Sequence, residues 1–189
     1  MERETKIKIV KIILGVIAAG GVLTMAAVAP NSLKMIDLFY DKRKRKYDIY
    51  KKRYYINSNI SKLRDKGLVK FEKRNGKTFI RLTDKGQKEL LRYQLREKII
   101  EKPKKWNKKW HVVIFDIKEQ SRNLREGLRK ELINLGFVKL QNSVWVHPYE
   151  CAEAIGMIKT YFEIGKDVLY MTVEEIENDK WLRKEFGLN

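Results

Sequence analysis

Ile56-Asn57-Ser58-Asn59-Ile60-Ser61-Lys62-Leu63-Arg64-Asp65-Lys66-Gly67-Leu68-Val69 is the stretch on which the fold turns. Ile56, Ile60 and Leu63 recur at i, i+4 and i+7, the spacing of one helical stripe. Asn57 or Ser58 can cap the start of this helix and Gly67 can stop it. At about 100° per residue, Ser58, Ser61, Lys62 and Asp65 point away from the stripe, with Asn57 and Asn59 at its edges. Two short strands follow, residues 68–73 and 77–82, around Arg74-Asn75-Gly76. Asn-Gly between alternating strands is a strong hairpin signal, because both turn residues need positive φ. Thr83-Asp84 then caps a helix predicted to run to about Ile100.

Upstream lies a dense basic run. Eight of the twelve residues from Lys42 to Arg53 are basic: Lys42, Arg43, Lys44, Arg45, Lys46, Lys51, Lys52 and Arg53. Tyr47, Ile49, Tyr50, Tyr54 and Tyr55 interleave with them; we read the tyrosines as packing residues first and phosphate-bonding hydroxyls second. Such a run repels itself, and contact with phosphates relieves the repulsion and releases counterions. The whole chain points the same way. It has 189 residues and a formal net charge of +18. Residues 1–104 hold 28 Lys/Arg against 11 Asp/Glu, whereas residues 105–189 hold 14 against 13. A merely solubilising surface would spread its charge, so the polyanion site is expected in the N-terminal half.

Helix, glycine stop, strand, Asn-Gly turn, strand and then Leu82-Thr83-Asp84-Lys85-Gly86 resembles a winged helix-turn-helix of the bacterial regulator type, over roughly residues 55–90. The resemblance implies double-stranded DNA as partner. Asn57, Ser58, Ser61 and Lys62 would face base edges, and Lys73, Arg74 and Lys77 would anchor the wing on the backbone.

Ile12 to Leu33 contains no charged residue, and its 22 residues could span a bilayer. Gly15, Gly20, Gly21 and Pro30 interrupt it, and Ile9, Ile12, Ile13, Val16 and Ile17 fall at helical spacing. Two packed core helices, with a turn at Gly20-Gly21 and the second helix over residues 22–29, are the expected arrangement. A membrane segment over residues 12–33 is the alternative. The single cysteine, Cys151, excludes an intramolecular disulfide and fits a reducing, cytoplasmic compartment.

After a basic linker over residues 101–109 the composition changes. Residues 110–117 read as a buried strand and residues 121–135 as a helix with Leu124, Leu128, Leu132 and Leu135 on one stripe. Strands are predicted over residues 137–140, 143–146 and 168–173, with a helix over residues 151–164 and a short tail helix ending near Gly187. The fold class is therefore α+β: a winged helix-turn-helix over residues 1–100, then a βαββαβ ferredoxin-like domain over residues 110–189.

Trp110…Phe115-Asp116-Ile117, Arg122…Arg125, Leu135-Gly136-Phe137 and Leu140-Gln141-Asn142-Ser143-Val144-Trp145-Val146 resemble the middle domain of the PaaX-type repressors. That domain is similar to the small ferredoxin-like CRISPR-associated endonuclease of spacer acquisition. The resemblance covers about residues 106–178 and implies a homodimer joined through its sheets, a dimeric transcriptional repressor reading a palindrome. With the sequence ending near residue 189, the C-terminal extension usual in that family is not expected here, and the resemblance does not extend to that family's effector response. The second reading, a metal-dependent endonuclease or CRISPR adaptation protein, rests on Asp116. It matches the acid at the end of the first strand that binds a divalent metal, Mg²⁺, from each subunit. A cap of the next loop, or pairing with Arg122 or Arg125, is the simpler role for that carboxylate. On the repressor reading no cofactor is expected. His111, His147 and Cys151 read as structural residues, and the four tryptophans as core and interface aromatics.

Overall fold

The computed structural model describes residues 3–24, 26–28, 30–32 and 49–188. The chain divides into two compact units, Met1–Tyr93 and Gln94–Asn189. The sequence-based boundary lay in a linker over residues 101–109; here those residues belong to the second unit.

In the first unit, α1 (Arg3–Gly20) is followed by β1 (Leu23–Thr24), helical residues 26–28 and 30–32, α2 (Ile49–Asp65), β2 (Val69–Arg74), β3 (Lys77–Leu82) and the start of α3 (Asp84–Glu97), whose residues from Gln94 on are counted with the second unit. The apolar stripes of α1 and α2 meet in one core: Ile9, Ile13, Leu14 and Ile17 with Ile56, Ile60, Leu63 and Ile80. Burying each of these side chains contributes about 1.5–3 kcal/mol. The uncharged stretch thus finds its apolar surroundings inside the unit. Among the described residues no helix is long and apolar enough to cross a membrane.

The helix expected over residues 22–29 does not begin at Val22: Leu23 and Thr24 are a strand, and among the described residues of that range only 26–28 are helical. Leu23 and Thr24 pair instead with Ile80 and Phe79, so the three strands lie in the order β1-β3-β2, all antiparallel. Leu23 packs against the core from this position. A two-residue strand has no periodicity to announce it; its partner β3 creates it.

The local stops behave as their chemistry requires. Gly67 adopts φ +69°, and the Leu68 and Gly67 amides donate to the Leu63 and Arg64 carbonyls, closing α2. Asn75 (φ 48°) and Gly76 (φ 69°) form a two-residue turn in which Arg74 pairs with Lys77. Thr83 caps α3: its hydroxyl accepts from the Gly86 amide at 3.0 Å and donates to the Gly67 carbonyl at 2.7 Å. Helix α3 stops at Glu97, short of Ile100.

The second unit runs β4 (Trp110–Phe115), a short 3-10 turn (Glu119–Ser121), α4 (Arg122–Asn134), β5 (Val138–Gln141), β6 (Val144–His147), α5 (Ala152–Phe162), β7 (Val168–Val173) and α6 (Lys180–Phe186). The antiparallel sheet has the order β5-β6-β4-β7, which is the ferredoxin-like βαββαβ arrangement. Alternation along β4 sends Trp110 and Val112 to one face, where Val146 and Leu182 complete a cluster, and Val113 and Phe115 to the other. Leu128 and Leu132 of α4 are fully buried as their stripe predicts, and Ile155 and Ile158 of α5 are buried as well. Gly136 (φ 85°) and Gly187 (φ 60°) end α4 and α6.

Candidate nucleic-acid interface

Helix α2 carries its apolar residues inward and a polar face outward. Asn57, Ser61 and Lys62 are exposed and Ser58 is half-buried. Asn59 is the exception to the expected face: it is 7% exposed and belongs to the inner side of the helix. Tyr54 is 78% exposed, so it is a surface aromatic rather than a packing residue. It stands three and four residues before Asn57 and Ser58, which puts it on the same helical face. Its position on the 100° wheel was the signal that could have found it. Lys51, Lys52 and Arg53 lie in the first turns of α2. Lys42, Arg43, Lys44, Arg45 and Lys46 lie outside the described residues.

The β2–β3 turn projects Lys73, Arg74 and Lys77, all exposed. Arg74 is not a free cation. Its guanidinium bonds Glu72 at 2.5 Å, and Arg81 reaches the same carboxylate at 2.9 Å, with Lys70 at 3.8 Å. Partial desolvation disfavours the ionised Glu72, but the Arg74 hydrogen bond and the charge of Arg81 outweigh it and hold its pKa below the usual carboxylate value. Three cations thus share one acid, and a phosphate can replace it as the partner of Arg74.

Asp116 is exposed just beyond β4, and its amide donates to the Asp167 carbonyl at 3.0 Å. Arg125 does not pair with it; its guanidinium bonds Glu119 at 2.6 Å instead. Among the described residues no three His, Cys, Asp or Glu side chains come together as a cation site. Mg²⁺ keeps several waters and is bound through one or two carboxylates and substrate phosphates, so at the site that the endonuclease likeness implies Asp116 would supply one ligand from each subunit.

The two histidines, far apart in sequence, sit opposite each other on β4 and β6. His111 Nδ1 lies 2.7 Å from the Tyr170 hydroxyl, which donates to Glu150 at 2.9 Å; the Cys151 amide donates to the same hydroxyl at 3.4 Å. Burial lowers the pKa of both His111 and His147 and pushes the Cys151 thiol up to about 12. A thiol so raised is a poor nucleophile. This network ties the start of α5 to the sheet.

The chain matches no curated protein. Residues 103–183 match the family described as the PaaX protein central Cas2-like domain. The match spans β4 to α6, the elements of the four-stranded sheet with both of its long helices. Residues 103–183 are thus similar to the central, Cas2-like domain of PaaX proteins.

Proposed function

We propose that residues 1–93 form a winged helix-turn-helix and that the chain is a dimeric, sequence-specific double-stranded DNA-binding transcriptional regulator, acting as a repressor in the cytoplasm. The observation that carries this reading is the exposed face of α2 beside the β2–β3 wing, in a unit holding 24 Lys/Arg against 9 Asp/Glu. The strand order β1-β3-β2, with α2 leading directly into the hairpin, supports the winged-helix assignment. A helix presenting Tyr54, Asn57, Ser61 and Lys62 suits the major groove, where amide and hydroxyl side chains read base edges. Lys73, Arg74 and Lys77 suit the backbone alongside.

The PaaX-type domain supports the regulatory role and the dimer. On one sheet face Leu169 is 58% exposed opposite Ile114, while Trp110 at the other end of β4 is covered. A second copy docking on the open end would bury that leucine and set the spacing between two reading helices.

The test is anisotropy of a labelled random duplex with the full chain over a range of potassium chloride. Each phosphate contact contributes about 0.9 to the slope of log affinity against log salt. Lys62→Ala and Arg74→Ala should each lower the slope by roughly that amount. An unchanged slope in both variants refutes the site. Selection of bound genomic DNA should return a palindrome with fixed half-site spacing.

A further inference from the structure

We infer that Lys102, Lys104, Lys105 and Lys108 form a second phosphate-backbone contact, carried by the second unit and separate from the α2 and wing residues. This rests on the DNA-binding reading above and extends it to a segment that reads at first as a plain connector. Residues 98–109 hold six lysines and one acid, Glu101. Lys98 is taken by Glu153 at 2.5 Å, and Lys109 approaches Glu174 at 3.9 Å. The remaining four are exposed, and among the described residues none of them meets an acidic group.

A solvated tether would carry such charges on a backbone without fixed contacts, but this backbone is pinned. The Trp106 indole N–H donates to the Lys109 carbonyl at 3.0 Å and to the Pro148 carbonyl at 2.9 Å. Its ring meets the buried Trp110 edge-on, centroids 4.8 Å apart, and Arg183 lies over it at 5.2 Å. The Lys109 amide donates to Asn107 Oδ1 at 3.0 Å, and Lys108 holds φ +62° at the bend. A non-glycine residue at positive φ is uncommon and persists where its surroundings dictate it. The hydrogen bond of Trp106 to the Pro148 carbonyl and its packing on Trp110 therefore fix the backbone between Lys105 and Lys109. Cations held in place lose less freedom on binding a polyanion than cations on a loose tether. Duplex DNA, with its regular row of phosphates, is the partner that spaced lysines without counter-charges fit.

The experiment compares two variants of the full chain. One carries Lys102→Gln, Lys104→Gln, Lys105→Gln and Lys108→Asn; asparagine tolerates the positive φ. The control removes the same charge elsewhere on the unit through Lys118→Gln, Lys130→Gln, Lys139→Gln and Lys166→Gln. Anisotropy on the labelled random duplex is read against potassium chloride. The strip variant should lose about 2 or more from the salt slope, at roughly 0.9 per phosphate, and the control variant less than about 1. Mass spectrometry of wild-type chain acylated with and without duplex should show the four lysines protected, a readout that needs no variant. Equal slopes for the two variants, or no protection, overturn the inference while leaving the α2 site standing. If the wild-type chain binds no duplex, the DNA-binding reading itself fails.

Discussion

Replacing Gly86 with alanine should destabilise the first unit, although alanine is the better helix former. Gly86 lies in the first turn of α3, where that turn crosses the end of α2. A Cβ at Gly86 would stand 1.9 Å from the Leu68 carbonyl oxygen and 2.9 Å from its carbon. The obstacle is backbone, so no rotamer relieves it. The same Leu68 carbonyl accepts from the Thr83 amide at 3.1 Å, and Thr83 Oγ1 donates to the Gly67 carbonyl at 2.7 Å. Moving α3 away by more than an ångström strains both bonds. Overpacking costs about 1–3 kcal/mol, and two weakened hydrogen bonds add about 1–2 kcal/mol. Helix propensity returns about 1 kcal/mol. The net loss is about 1–4 kcal/mol, several degrees or more in the melting temperature of a unit this size. Thermal melts followed by far-UV circular dichroism measure it. Gly156→Ala is the control. Gly156 is exposed on α5 with nothing within 4 Å of a built Cβ, so alanine should there gain about 0.5–1 kcal/mol. All four tryptophans lie in the second unit, so indole fluorescence reads that gain. If Gly86→Ala raises the melting temperature as Gly156→Ala does, the close approach of α3 to Leu68 is wrong.

Glu72→Gln removes the acid shared by Arg74, Arg81 and Lys70 and should tighten duplex binding by roughly tenfold at low salt, the scale of one charge-assisted bond; unchanged or weaker affinity by anisotropy would place the wing off the backbone. Stability of the second unit should fall as pH drops through about 6.5 toward 5. Burial depresses both histidine pKa values, so the unfolded chain takes up protons first and stability is full only above the unfolded value. The slope is at most about 1.4 kcal/mol per pH unit per histidine, and indole-detected urea midpoints that do not change between neutral and acidic buffer would contradict it. Plasmid incubated with the chain and Mg²⁺ should remain intact; nicking that Asp116→Asn abolishes would favour the nuclease reading.

Much of the first unit was legible because its signals are local. Gly67 and Asn75-Gly76 announce positive φ, and Ile56, Ile60 and Leu63 announce one buried face, since each depends on the backbone within a few residues. The same holds for the strand and helix pattern of the second unit. Its strands carry alternating or continuous apolar residues, and the βαββαβ order follows from reading them in turn.

What the amino-acid sequence alone determined was therefore the kind and order of most elements, and the concentration of positive charge in the N-terminal half. Only the tertiary structure decided that Leu23-Thr24 is a strand, that Asn59 faces inward, that Glu72 occupies Arg74, and that Trp106 fixes the lysine segment to Pro148 and Trp110. The presumed linker at residues 101–109 proved part of a compact unit for that reason. Each of these outcomes depends on a partner distant in the chain or on the neighbouring strand. Local spacing fixes where a side chain points on its own element, whereas what waits there is set by packing between elements.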